Sequence, residues 1–288
     1  SSMLVPYEMK KLGFSKSFTN LYVTFCVETS SPSDASDMKL QHPVAKLTST
    51  IGPVDILANY YEYRLAAHRL TEPISGFSRA TSKAVAALNR LSKTKETKET
   101  KEIKDTPRIF TIDPGGSTDF DDAVSIETLD AAEGNTSHRI TIYIADVPAV
   151  LTQLELWEHV SERIATVYLP KADHENGSES NSKRPMLPPI LSDDLCSLVA
   201  DKERSAFTLE LTILNAEIVG TVFNRALIQV ANNYQYEERA LLCDPDYINL
   251  LSTVRSMRAM PDQQYVESIG DSHDVVAYLM ILMNCVAA

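Results

Sequence analysis

Apolar and polar residues alternate with a period of two in several separate stretches, and each stretch predicts a strand. "LYVTFCVET" is the first, near the N-terminus. "RIFTID" (108–113), "AVSIE" (123–127) and "RITIYIADV" (139–147) follow. "AFTLELTIL" and "IVGTVFNRALIQV" form another pair, joined through "NAE". Helical spacing predicts a helix over "VDILANYYEYRLAAHRL" (54–70) behind a Gly-Pro breaker. It predicts another over "SKAVAALNRL", with Ser82 as N-cap, and a third over 154–166. Helices dominate after the last strand pair. The final one, "DVVAYLMILMNCVAA", is apolar on most sides and needs neighbours on several of them. It stops in mid-pattern, so the chain is expected to end inside a larger domain.

Between these stretches lie polar tracts. "SSPSDASD" and "HENGSESNSK" (174–183) read as loops. "KTKETKETKEIKD" (93–105) is charged and of low complexity, a solvated linker rather than a packed element. The expected organisation is therefore a partial module over 1–92, a linker over 93–106 and a second domain over 107–288. "SSM" at the start carries no fold information.

Composition changes little in this picture. The 288 residues are 44% hydrophobic and 23% charged, enough for a sizeable core. No apolar run reaches the roughly 18 residues of a membrane span, and no signal-peptide pattern opens the chain, so a membrane role is not expected. Cys26, Cys196, Cys243 and Cys285 are scattered without a CxxC pair, as reduced thiols of an intracellular protein would be. Charge matters more. The net −12 divides into about +4 over the first hundred residues and about −16 over the rest. An acidic C-terminal part binds phosphate backbones poorly, so a nucleic-acid site there must be local or completed by other chain.

The candidate chemistry sits in "TIDPGGSTDFDDAVSIE" (111–127). Asp113 ends a strand, Pro114-Gly115-Gly116 turns the chain, and Asp119, Asp121 and Asp122 return on the next segment. Like charges so close raise one another's pKa. Carboxylates converging without His or Cys suit a hard cation, magnesium or manganese. Such an ion activates water and stabilises charge on a phosphoryl centre. A solvated acidic turn is the plain alternative. An EF-hand loop fails, because counting from Asp119 puts Ala123 at position 5 and Val124 at the glycine position. For a glycosidase pair nothing else in the chain supports sugar binding, and only one Trp is present. On spacing alone the metal site and the acidic turn both stay open.

With its neighbours the motif is more specific. "TIDPGGSTDFDDAVSIE", "IYIADV", "RIATVYLP", "PMLPPILSDDLCSL", "NNYQYEERALL" and "YLMILMNCVAA" follow one another in an order that resembles the RNase II/RNase R (RNB-domain) family. "HPVAKLTSTIGPVDI" is similar to the segment after the cold-shock domains of its eukaryotic, exosome-associated members. The resemblance implies an α+β fold. A mixed or antiparallel sheet core with surrounding helices would follow a partial or divergent OB-like β module. It implies a Mg²⁺-dependent (or Mn²⁺-dependent) 3′→5′ exoribonuclease that degrades single-stranded RNA to nucleoside 5′-monophosphates, with an RNA-degradation complex as a partner. It gives Asp113, Asp119, Asp121 and Asp122 as metal-site residues, Asp121 as the most critical for cleavage, and Tyr168 as the aromatic that stacks near the terminal nucleotide. Asp146 and Arg163 are expected to give structural support. Two departures stand out: Ile164 replaces the family's glycine, and 174–183 looks inserted. The family's second half, with its arginine motif, second base-clamping aromatic and S1 domain, is expected beyond this chain. The 288 residues alone are then expected to be a weak or inactive nuclease. An inactive scaffold on the same fold is the alternative.

Overall fold

The computed structural model describes residues 20–27, 45–71, 74–92, 107–132, 134–160, 165–168 and 183–288. The linker, Arg163, the "SSPSDASD" tract and nearly all of 174–183 lie outside them. Two compact units emerge, one within 1–74 and 161–186, the other within 75–160 and 187–288.

In the first unit, β1 (Leu21–Val27) pairs antiparallel with β2 (Ala45–Pro53), and α1 (Leu57–Ala67) follows. Among the described residues the β module ahead of the linker is this one ladder. Tyr22 of β1 stacks on Tyr63 of α1 with centroids 4.5 Å apart, joining helix to hairpin. The short strands β6 (Val167–Tyr168) and β7 (Lys183–Arg184) pair antiparallel, and Arg184 pairs with Glu62 of α1.

The second unit is built on six strands. They are β3 (Phe110–Asp113), β4 (Asp122–Leu129), β5 (Ser137–Ala145), β8 (Glu203–Leu214), β9 (Glu217–Gln229) and β10 (Asn232–Gln235). Their order is β10-β3-β4-β5-β8-β9, antiparallel throughout except that β10 runs parallel to β3. The sheet is mixed, as expected. The hairpin between β8 and β9 turns on Asn215 and Ala216, whose φ angles of +49° and +70° suit a two-residue primed turn. Glu217 already belongs to the strand.

Alternation sorts the side chains onto two faces. Ile112, Val124, Ile126, Ile140, Ile142 and Leu211 form the main core with α5 (Pro245–Arg258) and α6 (Ser272–Ala287), beyond the one-turn α4 (Arg239–Leu242). Val275, Tyr278, Leu279, Leu282 and Met283 of α6 are buried at helical spacing, while Ile281 on another side is 38% exposed. The opposite sheet face carries a smaller cluster around Ala123, Tyr143, Leu198 and Val230.

Two helix expectations are corrected. The helix placed from Ser82 is α2 (Ser75–Ser92), and Ser82 lies inside it, its hydroxyl donating to the Ser78 carbonyl. Its apolar stripe begins at Phe77, which packs with Leu151, Leu154 and Leu191. That packing places α2 in the second compact unit, which begins at Ser75. The helix expected over 154–166 is instead α3 (Val147–Gln153), and a 3-10 turn follows at Trp157–His159. Asp146 caps α3 and Pro148 sits in its first turn, so the start signal lies in "DVP", within the stretch assigned to the strand. Glu155, with φ +54°, follows the end of the helix.

Candidate metal centre

The carboxylate loop is built by the ends of β3 and β4. After Asp113 the amide of Ser117 donates to the Pro114 carbonyl at 3.1 Å, closing a tight turn. Gly116 has φ +84°, the left-handed value that the third position of a type II turn requires. At Gly115 a Cβ would come within 3.1 Å of the Gln235 amide oxygen, so β10 lies close against this turn. Residues 117–121 have no regular secondary structure. Phe120 points into the smaller core cluster and anchors them. The carbonyl of Asp121 accepts from the Ala145 amide at 2.9 Å, which fixes the entry into β4.

Asp113 and Asp122 both feel the charges of neighbouring aspartates. Burial raises the Asp113 carboxyl to about 6; a hydrogen bond from Thr111 opposes the rise, and the charges of Asp121 and Asp119 add to it. Burial also raises Asp122 to about 7, with the charges of Asp113 and Asp121 adding. Oδ2 of Asp113 is buried and has no hydrogen-bond partner. A solvated acidic turn would show neither feature. The donors are all hard oxygens, and an orphaned buried carboxylate oxygen is what a bound cation would satisfy, so these residues fit magnesium or manganese. Among the described residues, no three acidic, His or Cys side chains close onto one point. Mutual repulsion opposes closer approach of like charges.

The structure also places residues beside the site that have no assigned role in the sequence reading. The amide of Tyr236 donates to the Asp113 carbonyl at 3.0 Å. Burial, and then the charges of Asp122 and Asp113, raise the Tyr236 phenol. His273 lies against its ring at 4.3 Å. The sequence signal was weak, an aromatic in "NNYQYEERALL" just past a short strand. Asp146 gives structural support, as expected. It is 4% exposed, accepts from the Ala149 amide at 3.0 Å and pairs with Arg225 at 3.1 Å. Tyr168 belongs to the other compact unit, on β6, with a 69% exposed ring.

The buried carboxylate at Asp122 carries a cost in the metal-free protein. Asp122→Asn removes one charge from the cluster and should raise the metal-free stability by about 1–2 kcal/mol, a few degrees in Tm. Thermal melts in chelator check this; an unchanged or lower Tm counts against the repulsion.

Strand order, the Asp-bearing hairpin and the helices packed on one face define the class. Residues 100–247, half of the chain, match the RNB domain, and the chain belongs to the RNB-domain family. It is 35% identical over 133 residues to DIS3-like exonuclease 2 of Schizosaccharomyces pombe, covering 45% of this chain and 13% of that protein. It is 32% identical over 143 residues to human exosome complex exonuclease RRP44, covering 49% and 14%. It is 34% identical over 131 residues to exoribonuclease 2 of Glaesserella parasuis, covering 44% and 18%. The chain thus spans less than a fifth of the length of these relatives. Mycoplasma genitalium RNase R, solved with ribose-methylated single-stranded RNA, superposes with a TM-score of 0.57 at 17% identity, covering 92% of this chain and 38% of that one. Yeast Ssd1, described as a pseudonuclease, gives 0.51 at 14% identity, covering 85% and 28%. At these identities the likeness is one of fold.

Proposed function

We propose that this chain carries the metal-binding part of a 3′→5′ exoribonuclease that hydrolyses single-stranded RNA to nucleoside 5′-monophosphates. The observation that carries the reading is the four-aspartate cluster, with Asp113 and Asp122 raised by burial and by the charges of neighbouring aspartates and Asp113 Oδ2 left without a partner. Names of relatives, among them exonucleases and an exosome subunit, support the same reaction and an RNA-degradation complex as partner. Asp113, Asp119, Asp121 and Asp122 would hold Mg²⁺ or Mn²⁺. When bound, such an ion supplies an activated water and charge stabilisation at the scissile phosphate. The chain's own part is positional. Asp113 and Asp122 are presented from two strand ends, and Tyr236 borders them. Tyr168 would stack on a base of the RNA, a sequence-tolerant contact of about 1–3 kcal/mol.

Binding is tested by manganese titration. At about a hundred times its dissociation constant the ion should stabilise by roughly 2.7 kcal/mol, about 5–8 °C in Tm. Reaction is tested with a labelled single-stranded oligoribonucleotide and the full-length natural protein, with nucleoside 5′-monophosphates as the expected product. A second reading, a nuclease-dead scaffold on the same fold, is favoured by the likeness to Ssd1. It predicts RNA retention without any mononucleotide release.

A further inference from the structure

The "LCSL" stretch lies apart from the aspartates in sequence, yet it reaches both pieces of chain that carry them. Ser197 is fully buried. Its hydroxyl accepts from the Phe120 amide at 3.0 Å and donates to the Thr118 carbonyl at 3.1 Å, so it clasps the backbone on either side of Asp119. The Leu198 amide donates to the Phe120 carbonyl at 2.8 Å and completes the clasp. The Leu198 carbonyl accepts from Asn233 Nδ2 at 3.0 Å, and the same nitrogen lies 3.0 Å from Thr111 Oγ1 on the strand that ends in Asp113. Asn233 Oδ1 accepts from the Ala200 amide at 2.7 Å, which fixes the orientation of its side chain.

This segment is itself held in an unusual form. Leu191–Leu195 is a π-turn, and the Cys196 amide donates back to the Leu191 carbonyl at 2.8 Å. Single π-turns recur at functional sites, where they redirect the chain. Here the turn delivers Ser197 beneath the loop. Arg204 locks it, donating through Nε to the carbonyls of Asp194 and Ser197 at 3.0 and 3.1 Å.

We infer that residues 196–199 are the template that sets the separation between Asp113 and the Asp119–Asp121 pair, with Ser197 and Asn233 as positioning residues for the metal centre. The inference rests on the metal-dependent reading for its consequence and on hydrogen bonds alone for its geometry. Neither side chain need touch the ion or RNA. Ser197 shapes the loop, and Asn233 ties the segment to β3. Removing either leaves the four carboxylates in the chain but releases the spacing between them.

The test uses the whole chain, wild type, Ser197→Ala and Asn233→Ala, with two readouts besides activity. One is the Mn²⁺ dissociation constant, read from free Mn²⁺ by electron paramagnetic resonance. The other is amide exchange at Phe120, with Leu211 in the sheet core as internal control. Ser197→Ala should raise the Mn²⁺ constant by about tenfold or more, the scale of lost outer-shell support, and lose Phe120 protection while Leu211 is unchanged. Asn233→Ala should weaken Mn²⁺ similarly but keep Phe120 protected. The inference is overturned if Phe120 stays protected without the Ser197 hydroxyl. It is equally overturned if both variants fold and bind Mn²⁺ like wild type. A wild-type chain that binds no Mn²⁺ defeats the nuclease reading instead, and the exchange readout then decides the template by itself. If Ser197→Ala does not fold, Asn233→Ala carries the metal arm, and wild-type Mn²⁺ affinity there overturns the inference.

Discussion

Asp121→Asn should abolish RNA hydrolysis by the full-length protein, lowering the rate by about a thousandfold or more while RNA still binds. The substitution keeps size and hydrogen-bonding shape and removes one negative charge. That charge acts on both Asp113 and Asp122, so Asp121 is the common member of the cluster. Its backbone carbonyl, bound to the Ala145 amide, is untouched, and the loop should keep its path. Loss of turnover with intact RNA affinity, measured by single-turnover cleavage and by fluorescence anisotropy, is the expected pair of results. Cleavage within tenfold of wild type would remove Asp121 from the chemistry. A wild-type protein that binds RNA but releases no mononucleotide would favour the scaffold reading.

The second large effect is on stability. Arg108, just ahead of β3, should be a sensitive surface-accessible position, with Arg108→Ala costing about 2–3 kcal/mol near neutral pH. Its guanidinium is over a third exposed, which lowers the figure from that of a fully buried pair. One nitrogen donates to Asp244 at 2.5 Å; the other donates to Asn232 and Tyr234 at 2.8 and 2.7 Å. Tyr234 in turn donates to Asp244 at 2.6 Å, and Asp244 caps α5 by accepting from the Asp246 amide at 2.9 Å. The network therefore pins β10 and the start of α5 to the head of β3. Burial alone would raise the Asp244 carboxyl, but the hydrogen bonds from Tyr234 and Arg108 outweigh it and hold the group below its ordinary value. A carboxyl depressed on folding contributes stability above its unfolded value, near 3.9, and loses it as pH falls through the folded value. The difference between wild type and Arg108→Ala in urea melts should be full at pH 7 and shrink below about pH 4. An equal difference at both pH values would assign the loss to packing.

Much of this was readable from residues alone. The strands announced themselves by alternation, which sorts side chains between the core under α5 and α6 and the smaller cluster on the opposite face. The Asp-bearing turn was equally plain, since Pro, Gly and Gly leave the chain little choice. The resemblance carried the family. What escaped has physical causes. β10 is four residues long and polar, "NNYQ", held by a parallel ladder and by Asn233 and Arg108 rather than by a pattern. α2 was started late because its decisive contact, Phe77 against Leu151 and Leu154, is tertiary. Tyr236 and Ser197 were silent, because their bearing on the site depends on which distant backbone they meet.

The parallel pairing of β10 with β3 has a kinetic side. Asn233 and Thr111, joined by a hydrogen bond, are 122 positions apart. Contacts of that sequence separation form slowly, after local hairpins such as β4–β5 and β8–β9 are in place. During synthesis, the wall beside Asp113 is missing until β10, Asn232–Gln235, has left the ribosome. The proposed ion site should therefore form only after β10 has emerged and paired with β3.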